Sequence, residues 1–184
     1  MPAKTDEDLL ASFLAGERAA LQELAVRYES RLLGLAAGLL GGQRDLACDA
    51  VQETWLRVIR FGRQFAGRSS FKTWVYRIAV NQCRSLREFN NHGATLDPVP
   101  GQAAAADGPA LTAEAVDQNQ AVRRAVEALD PDKRLVILLC YHTEMTHEQA
   151  ADILEVPLGT LKSRLHAALT ELRAALSAAE ASHE

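Results

Sequence analysis

The sequence predicts an all-α protein made of two small helical domains joined by a flexible linker. Three observations predict it. Apolar residues recur at helical spacing along nearly the whole chain. No segment alternates apolar and polar residues as a strand would, and no internal repeat is present. After Glu88 the composition shifts to a stretch with prolines, glycines and an alanine run, carrying only acidic charges until Arg123. The expected domains are therefore 1–88 and 118–176, with an acidic linker at 89–117 and a frayed tail at 177–184.

The chain of 184 residues is long enough for one large or two small cores, and 48% apolar with 24% charged residues is ordinary for a soluble protein. Its apolar runs are too short to span a bilayer, which argues against membrane insertion, and MPAKTDEDLL lacks a signal-peptide core. Cys48, Cys83 and Cys140 are odd in number and sit in helical patterns, as expected of reduced, buried thiols in the cytoplasm. A net charge of −4 argues against coating nucleic acid by bulk electrostatics, so any such role rests on local basic surfaces.

Residues 6–16 read as a helix with an acidic start (Asp6, Glu7, Asp8) and Gly16 at its end. A second helix covers 18–40, with Leu21, Leu24, Ala25, Tyr28, Leu32 and Leu35 as its buried stripe, and Gly41-Gly42 breaks the chain. In the helix over 44–60, Val51, Thr54, Trp55, Val58 and Ile59 form the inward stripe. Asp49, Gln52, Glu53, Leu56 and Arg60 form a separate face, which fits either a solvated surface or a partner surface.

The segment GRQFAGRSS at 62–70 reads as a loop, and Ser70 suits the cap of the helix FKTWVYRIAVNQCRSLREF. There Phe71, Val75, Ile78, Ala79 and Leu86 point one way and Thr73, Arg77, Arg84 and Arg87 the other, with Trp74, Tyr76 and Asn81 at the margins. From Arg63 to Arg87 the basic residues Arg63, Arg68, Lys72, Arg77, Arg84 and Arg87 are uninterrupted by any acid. Basic side chains interleaved with aromatics can hold phosphates and accept an unstacked base. A solvated basic face with Trp74 and Tyr76 partly in the core fits the same pattern.

Beyond the linker, QNQAVRRAVEAL is helical, Asp130 or Pro131 opens the next helix, and Leu135, Val136, Leu138 and Leu139 supply its core. Thr146 and Gln149 have the spacing of a capping box, and Pro157 ends the short helix they begin. Pro157 also suits the start of a second helix, whose inner side carries Leu161, Leu165, Ala168, Leu169, Leu172 and Leu176. Thr160, Ser163, Arg164 and Ala167 face away, flanked by Lys162 and His166. This pattern describes a helix-turn-helix whose second helix fits the major groove of DNA, although an ordinary αα-hairpin has the same periodicity.

Taken together these stretches resemble the extracytoplasmic-function (ECF) sigma factors of bacterial RNA polymerase. The carriers are CDAVQETWLRVIR (48–60), FAGRSSFKTWVYRIAVNQCRSLR (65–87) and LDPDKRLVILLCYHTEMTHEQAADILEVPLGTLKSRLHAAL (129–169), which put the resemblance over nearly the whole chain. It implies that sigma region 2 binds the −10 promoter element and region 4 the −35 element. Asp49, Gln52, Glu53, Leu56 and Arg60 would dock on the β′ clamp of core polymerase, whose β subunit is a further partner. Phe65, Gly67, Arg68 and Ser69 would belong to the loop that captures a flipped −10 base. Lys72, Trp74, Arg77, Asn81, Arg84 and Arg87 would hold the melted strand, and Thr160, Lys162, Ser163, Arg164, His166 and Ala167 would read the −35 element. The linker would thread the polymerase channels, and an anti-sigma factor is a further expected partner. The chain departs from the family at Ala167 and Leu169, where basic residues are usual, and at Glu155, which replaces a turn glycine.

The resemblance implies no enzyme activity of the chain itself and no cofactor. A stand-alone helix-turn-helix regulator would use the second domain alone and has no need of the 48–87 constellation. A metal site at Cys140, His142 and His147 is disfavoured, because Cys140 and His142, two apart on a helix, point to different sides. No cysteine stands where a helix N-terminus would favour a thiolate, so a Cys–His hydrolase is disfavoured.

Overall fold

The computed structural model describes residues 4–93 and 113–181, and within them every regular element is helical. The chain divides into two compact units, Met1–Pro100 and Gly101–Glu184. The linker expected at 89–117 lies over 94–112 outside the described residues.

The first unit is built from α1 (Asp6–Leu14), α2 (Arg18–Leu39), α3 (Arg44–Phe61) and α4 (Phe71–Gly93). Thr5 and Asp8 open α1 with a reciprocal capping box that satisfies two backbone donors. Consecutive helices pack on one another and α4 closes against the three before it, because each exposes an apolar stripe that only a neighbour can cover. Leu24, Leu32, Leu35, Val58, Phe71, Val75, Tyr76 and Val80 are fully buried in this core. The stripe expected on α2 is mostly correct, with Leu21 and Ala25 only half-buried and Ala20, Ala36 and Leu39 buried instead.

Four orientations in this unit differ from the sequence expectation, those of Ile59, Thr73, Tyr76 and Cys48. Ile59, placed inward, is exposed, because Val58 takes the inward position and its neighbour points away. Thr73, placed on the outer face of α4, is buried: its hydroxyl pairs with that of Ser70 at 3.0 Å, so burial strands no polar atom. Tyr76, placed at the margin, is fully buried beside Tyr28, their rings 6.1 Å apart edge to face. Cys83 is buried as expected, Cys140 is half-buried, and Cys48 is exposed, because the inward positions of α3 fall on its neighbours Ala47, Ala50 and Val51.

The second unit comprises α5 (Ala113–Ala128), α6 (Pro131–Ile137), α7 (His147–Leu154) and α8 (Leu158–Ala181). Asp130 caps α6 by accepting the Asp132 N–H at 3.0 Å, and Pro131 fills the first helical position, where a missing donor costs nothing. Past Ile137 the helix widens into a single π turn, Leu138–His142, that periodicity does not foretell. It places Leu139 and Thr143 in the core and leaves Leu138, expected there, half-buried. The Thr146–Gln149 capping box forms as expected, with bonds of 3.2 and 3.0 Å. Leu161, Leu165 and Ala168 of α8 are buried, whereas Leu169, Leu172 and Leu176 are half-buried. The frayed tail expected from residue 177 is helical through Ala181.

Between α7 and α8 the chain turns through Glu155, held left-handed at φ 56°. A side chain there costs about 1 kcal/mol that glycine avoids. Glu155→Gly is therefore expected to raise the stability of the second unit by about 1 kcal/mol, read as an increased urea midpoint. A lower midpoint would mean that the Glu155 side chain contributes more than its strained backbone costs.

Candidate nucleic-acid interface

The segment preceding α4 is short and firmly placed. After a 3-10 turn at Gly62–Gln64, the chain runs extended at Phe65 and then turns at Gly67, whose φ of 65° favours glycine. The half-buried Phe65 ring rests against Trp74 at 5.2 Å and Phe71 at 6.4 Å. Ser70 takes the Thr73 N–H at 3.1 Å, and Glu7 of α1 takes the Phe71 N–H at 2.7 Å. Gly67 and Arg68 are exposed and Ser69 half-exposed at the tip. An aromatic shelf beneath an exposed basic loop can stack one base and hold its phosphate.

On α4 the positions 74, 77, 81 and 84 succeed one another by three or four residues and share one face. Trp74 and Arg77 are half-buried, and Asn81 and Arg84 are exposed, so a continuous line of aromatic, cationic and amide groups runs along the helix. Lys72 and Arg87 lie off that line and are half-buried, with Arg87 close enough to Cys83 to act on its thiol. The structure thus gathers four of the expected strand-holding residues on one face and sets two apart.

The stripe Asp49, Gln52, Glu53, Leu56 and Arg60 lies on the outer side of α3, with Leu56 exposed. Four of the five, Asp49, Gln52, Glu53 and Leu56, line a shallow groove completed by Gln82 and Leu86 of α4. Glu53 is braced by Arg57 at 3.1 Å, and the Arg60 guanidinium lies over the Phe61 ring. Gln82 and Leu86 were not legible as part of this surface. Their spacing of four places them together, but only the packing of α3 on α4 shows that they meet it.

On α8, Lys162, Ser163 and His166 are exposed, and Thr160, Arg164 and Ala167 are half-buried. Arg164 pairs with Asp132 of α6 at 3.2 Å, and the Ser163 hydroxyl donates to the Thr160 carbonyl at 2.9 Å. Hydrogen bonds from its own backbone and from Thr146 hold the Glu148 carboxyl below its ordinary range, with smaller attractions from His147 and Lys162. The outward surface is therefore part open and part engaged by α6.

Burial pushes the Cys83 thiol up to about 12 and raises that of Cys140, which disfavours a thiolate at either position. Among the described residues no group of three or more metal-binding side chains could hold an ion, and no helix is long and apolar enough to cross a membrane.

Comparison with known proteins gives a consistent pattern. Residues 24–91 match Sigma-70 region 2, and residues 119–172 match Sigma-70, region 4. The chain is 28% identical over 171 residues to the ECF RNA polymerase sigma-E factors of Salmonella typhimurium and Escherichia coli K12, covering 88% of each sequence. The sigma-E factor of Haemophilus influenzae is 26% identical over the same length. Among solved structures, CnrH in complex with the cytosolic domain of CnrY has a TM-score of 0.72 at 24% identity, covering 95% of this chain and 99% of that one. The sigma factor RpoE, solved with the anti-sigma factor NepR from Bartonella quintana, has a TM-score of 0.69 at 25% identity, covering 85% and 96%.

Proposed function

Because the chain belongs to the ECF sigma factors of bacterial RNA polymerase, we propose that its two units divide promoter recognition between them. The protein is a transcription initiation factor that binds core polymerase and promoter DNA, while the polymerase supplies the chemistry of RNA synthesis. It works in the cytoplasm, without a cofactor. The first unit docks on the β′ clamp through the groove of Asp49, Gln52, Glu53 and Leu56, with Gln82 and Leu86 widening the contact. Its loop from Phe65 to Ser70 captures one flipped −10 base, and the Trp74–Arg77–Asn81–Arg84 line carries the melted strand. The second unit reads the −35 element through Lys162, Ser163 and His166, with Arg164 aimed by Asp132. An anti-sigma factor covers these faces when the protein is idle, as the partners of the solved relatives suggest.

The observation that carries this reading is the ordered pair of region matches, each coinciding with one compact unit that bears a basic or groove-fitting face. A stand-alone regulator would use only the second. Run-off transcription with purified core polymerase on promoters of the host should give transcripts that appear only when this protein is added and share two spaced upstream elements. Leu56→Glu should abolish them by burying a charge in the docking groove. Transcription that is independent of the protein, together with no binding to core, would overturn the assignment.

A further inference from the structure

The helix α1 lies outside the matched region 2, which begins at residue 24, yet it reaches the functional loop. The carboxylate of Glu7 accepts the backbone N–H of Phe71 at 2.7 Å, across 64 positions of sequence. Phe71 is the first residue of α4 and directly follows the Phe65–Ser70 loop. A helix start leaves its first backbone donors without partners in the helix. Here they are divided: Ser70 serves Thr73 locally, and Glu7 serves Phe71 from a distant element. A carboxylate at this end also meets the favourable end of the helix dipole, which tempers its repulsion of a passing strand.

Glu7 is held on a fixed platform. Its neighbour Asp6 pairs with Arg27 at 2.7 Å and accepts from the Tyr28 hydroxyl, and Tyr28 packs edge-on against Phe71 at 5.7 Å. The ring of Phe71 in turn supports Phe65. Loop and helix start are thus pinned from beneath by rings and from the side by a carboxylate.

We propose that Glu7 is a positioning residue for base capture, its bond to the Phe71 amide fixing the direction in which the 65–70 loop enters α4. The idea rests on the base-capture role given above to that loop. A pocket for one base needs its walls held to within about half an ångström, and freeing this donor lets the first turn of α4 and the loop relax together.

The test uses holoenzyme assembled from full-length protein and core polymerase. Open complexes are measured on a promoter with an intact −10 strand and on one carrying an abasic site at the captured position. Glu7 is exposed, so Glu7→Ala opens no core cavity and should leave core binding unchanged. The preference for the intact strand should fall by about tenfold in Glu7→Ala, the equivalent of ~1.4 kcal/mol. Glu7→Gln, which keeps a carbonyl acceptor, should restore most of it. A cap that matters only for stability would lower the melting temperature and leave the preference intact, which overturns the proposal. Phe65→Ala separates the two ideas. If it abolishes the preference while Glu7→Ala does not, only the positioning role fails; if the unaltered protein shows no preference, capture by the loop fails as well.

Discussion

Arg84→Glu is expected to reduce open promoter complexes by about tenfold or more while leaving the affinity for core polymerase unchanged. Arg84 is exposed on the α4 line with Trp74, Arg77 and Asn81, and it lies apart from the α3 groove proposed to meet the clamp. Reversal replaces an attraction for strand phosphate by a repulsion. The loss should be largest at low salt, and the dependence on salt should flatten by roughly 0.7 in log–log slope for the lost contact. Permanganate reactivity of the melted −10 region gives the first quantity and a fluorescence titration with core gives the second. Arg84 is the better choice than Arg77, which is half-buried and engaged within the protein, so that its loss would mix folding with function. Unchanged opening would remove this face from the path of the strand.

The second large effect is structural. Leu161→Ala should destabilise the second unit by about 3 kcal/mol, because the side chain is fully buried where α8 packs on α6 and α7. Leu172→Ala, at a half-buried position of the same helix, should cost about 1 kcal/mol. Urea unfolding monitored by circular dichroism checks both, and equal costs at the two positions would mean that the core does not sit at the helix-turn-helix. Promoter binding should fail in Leu161→Ala even though no outward residue has changed.

What could be read from the sequence was what local physics decides. The Thr146–Gln149 box, the break before Pro157, and the stripes of α2 and α8 depend on residues a few positions apart. The polar stripe on α3 was equally legible, since spacing alone places Asp49, Gln52 and Leu56 together. The misplacements came from tertiary partners. Thr73 is polar and was expected outside, but Ser70 satisfies it and permits burial. Tyr76 follows the aromatic neighbour Tyr28 supplied by α2. The remote cap from Glu7 and the clamp of Asp132 on Arg164 join residues far apart in sequence, beyond any window of periodicity. The π turn at Leu138–His142 shifts register without a glycine or proline to announce it.

The clamp on Arg164 has a consequence for how the second unit would pay for DNA. A free arginine carries about 2 kcal/mol of rotamer entropy, part of which is surrendered whenever it binds. Asp132 has already restrained Arg164 at 3.2 Å, so part of that loss is charged to folding instead of to association. The same carboxylate offsets the guanidinium charge, so Arg164 would displace fewer counterions on reaching a phosphate in the proposed contact. In the proposed −35 contact, counterion release would then fall mainly to Lys162, while Arg164 would contribute a fixed direction. In a protein of net charge −4, the second unit would thereby gain selectivity for a sequence faster than it gains adhesion to any duplex.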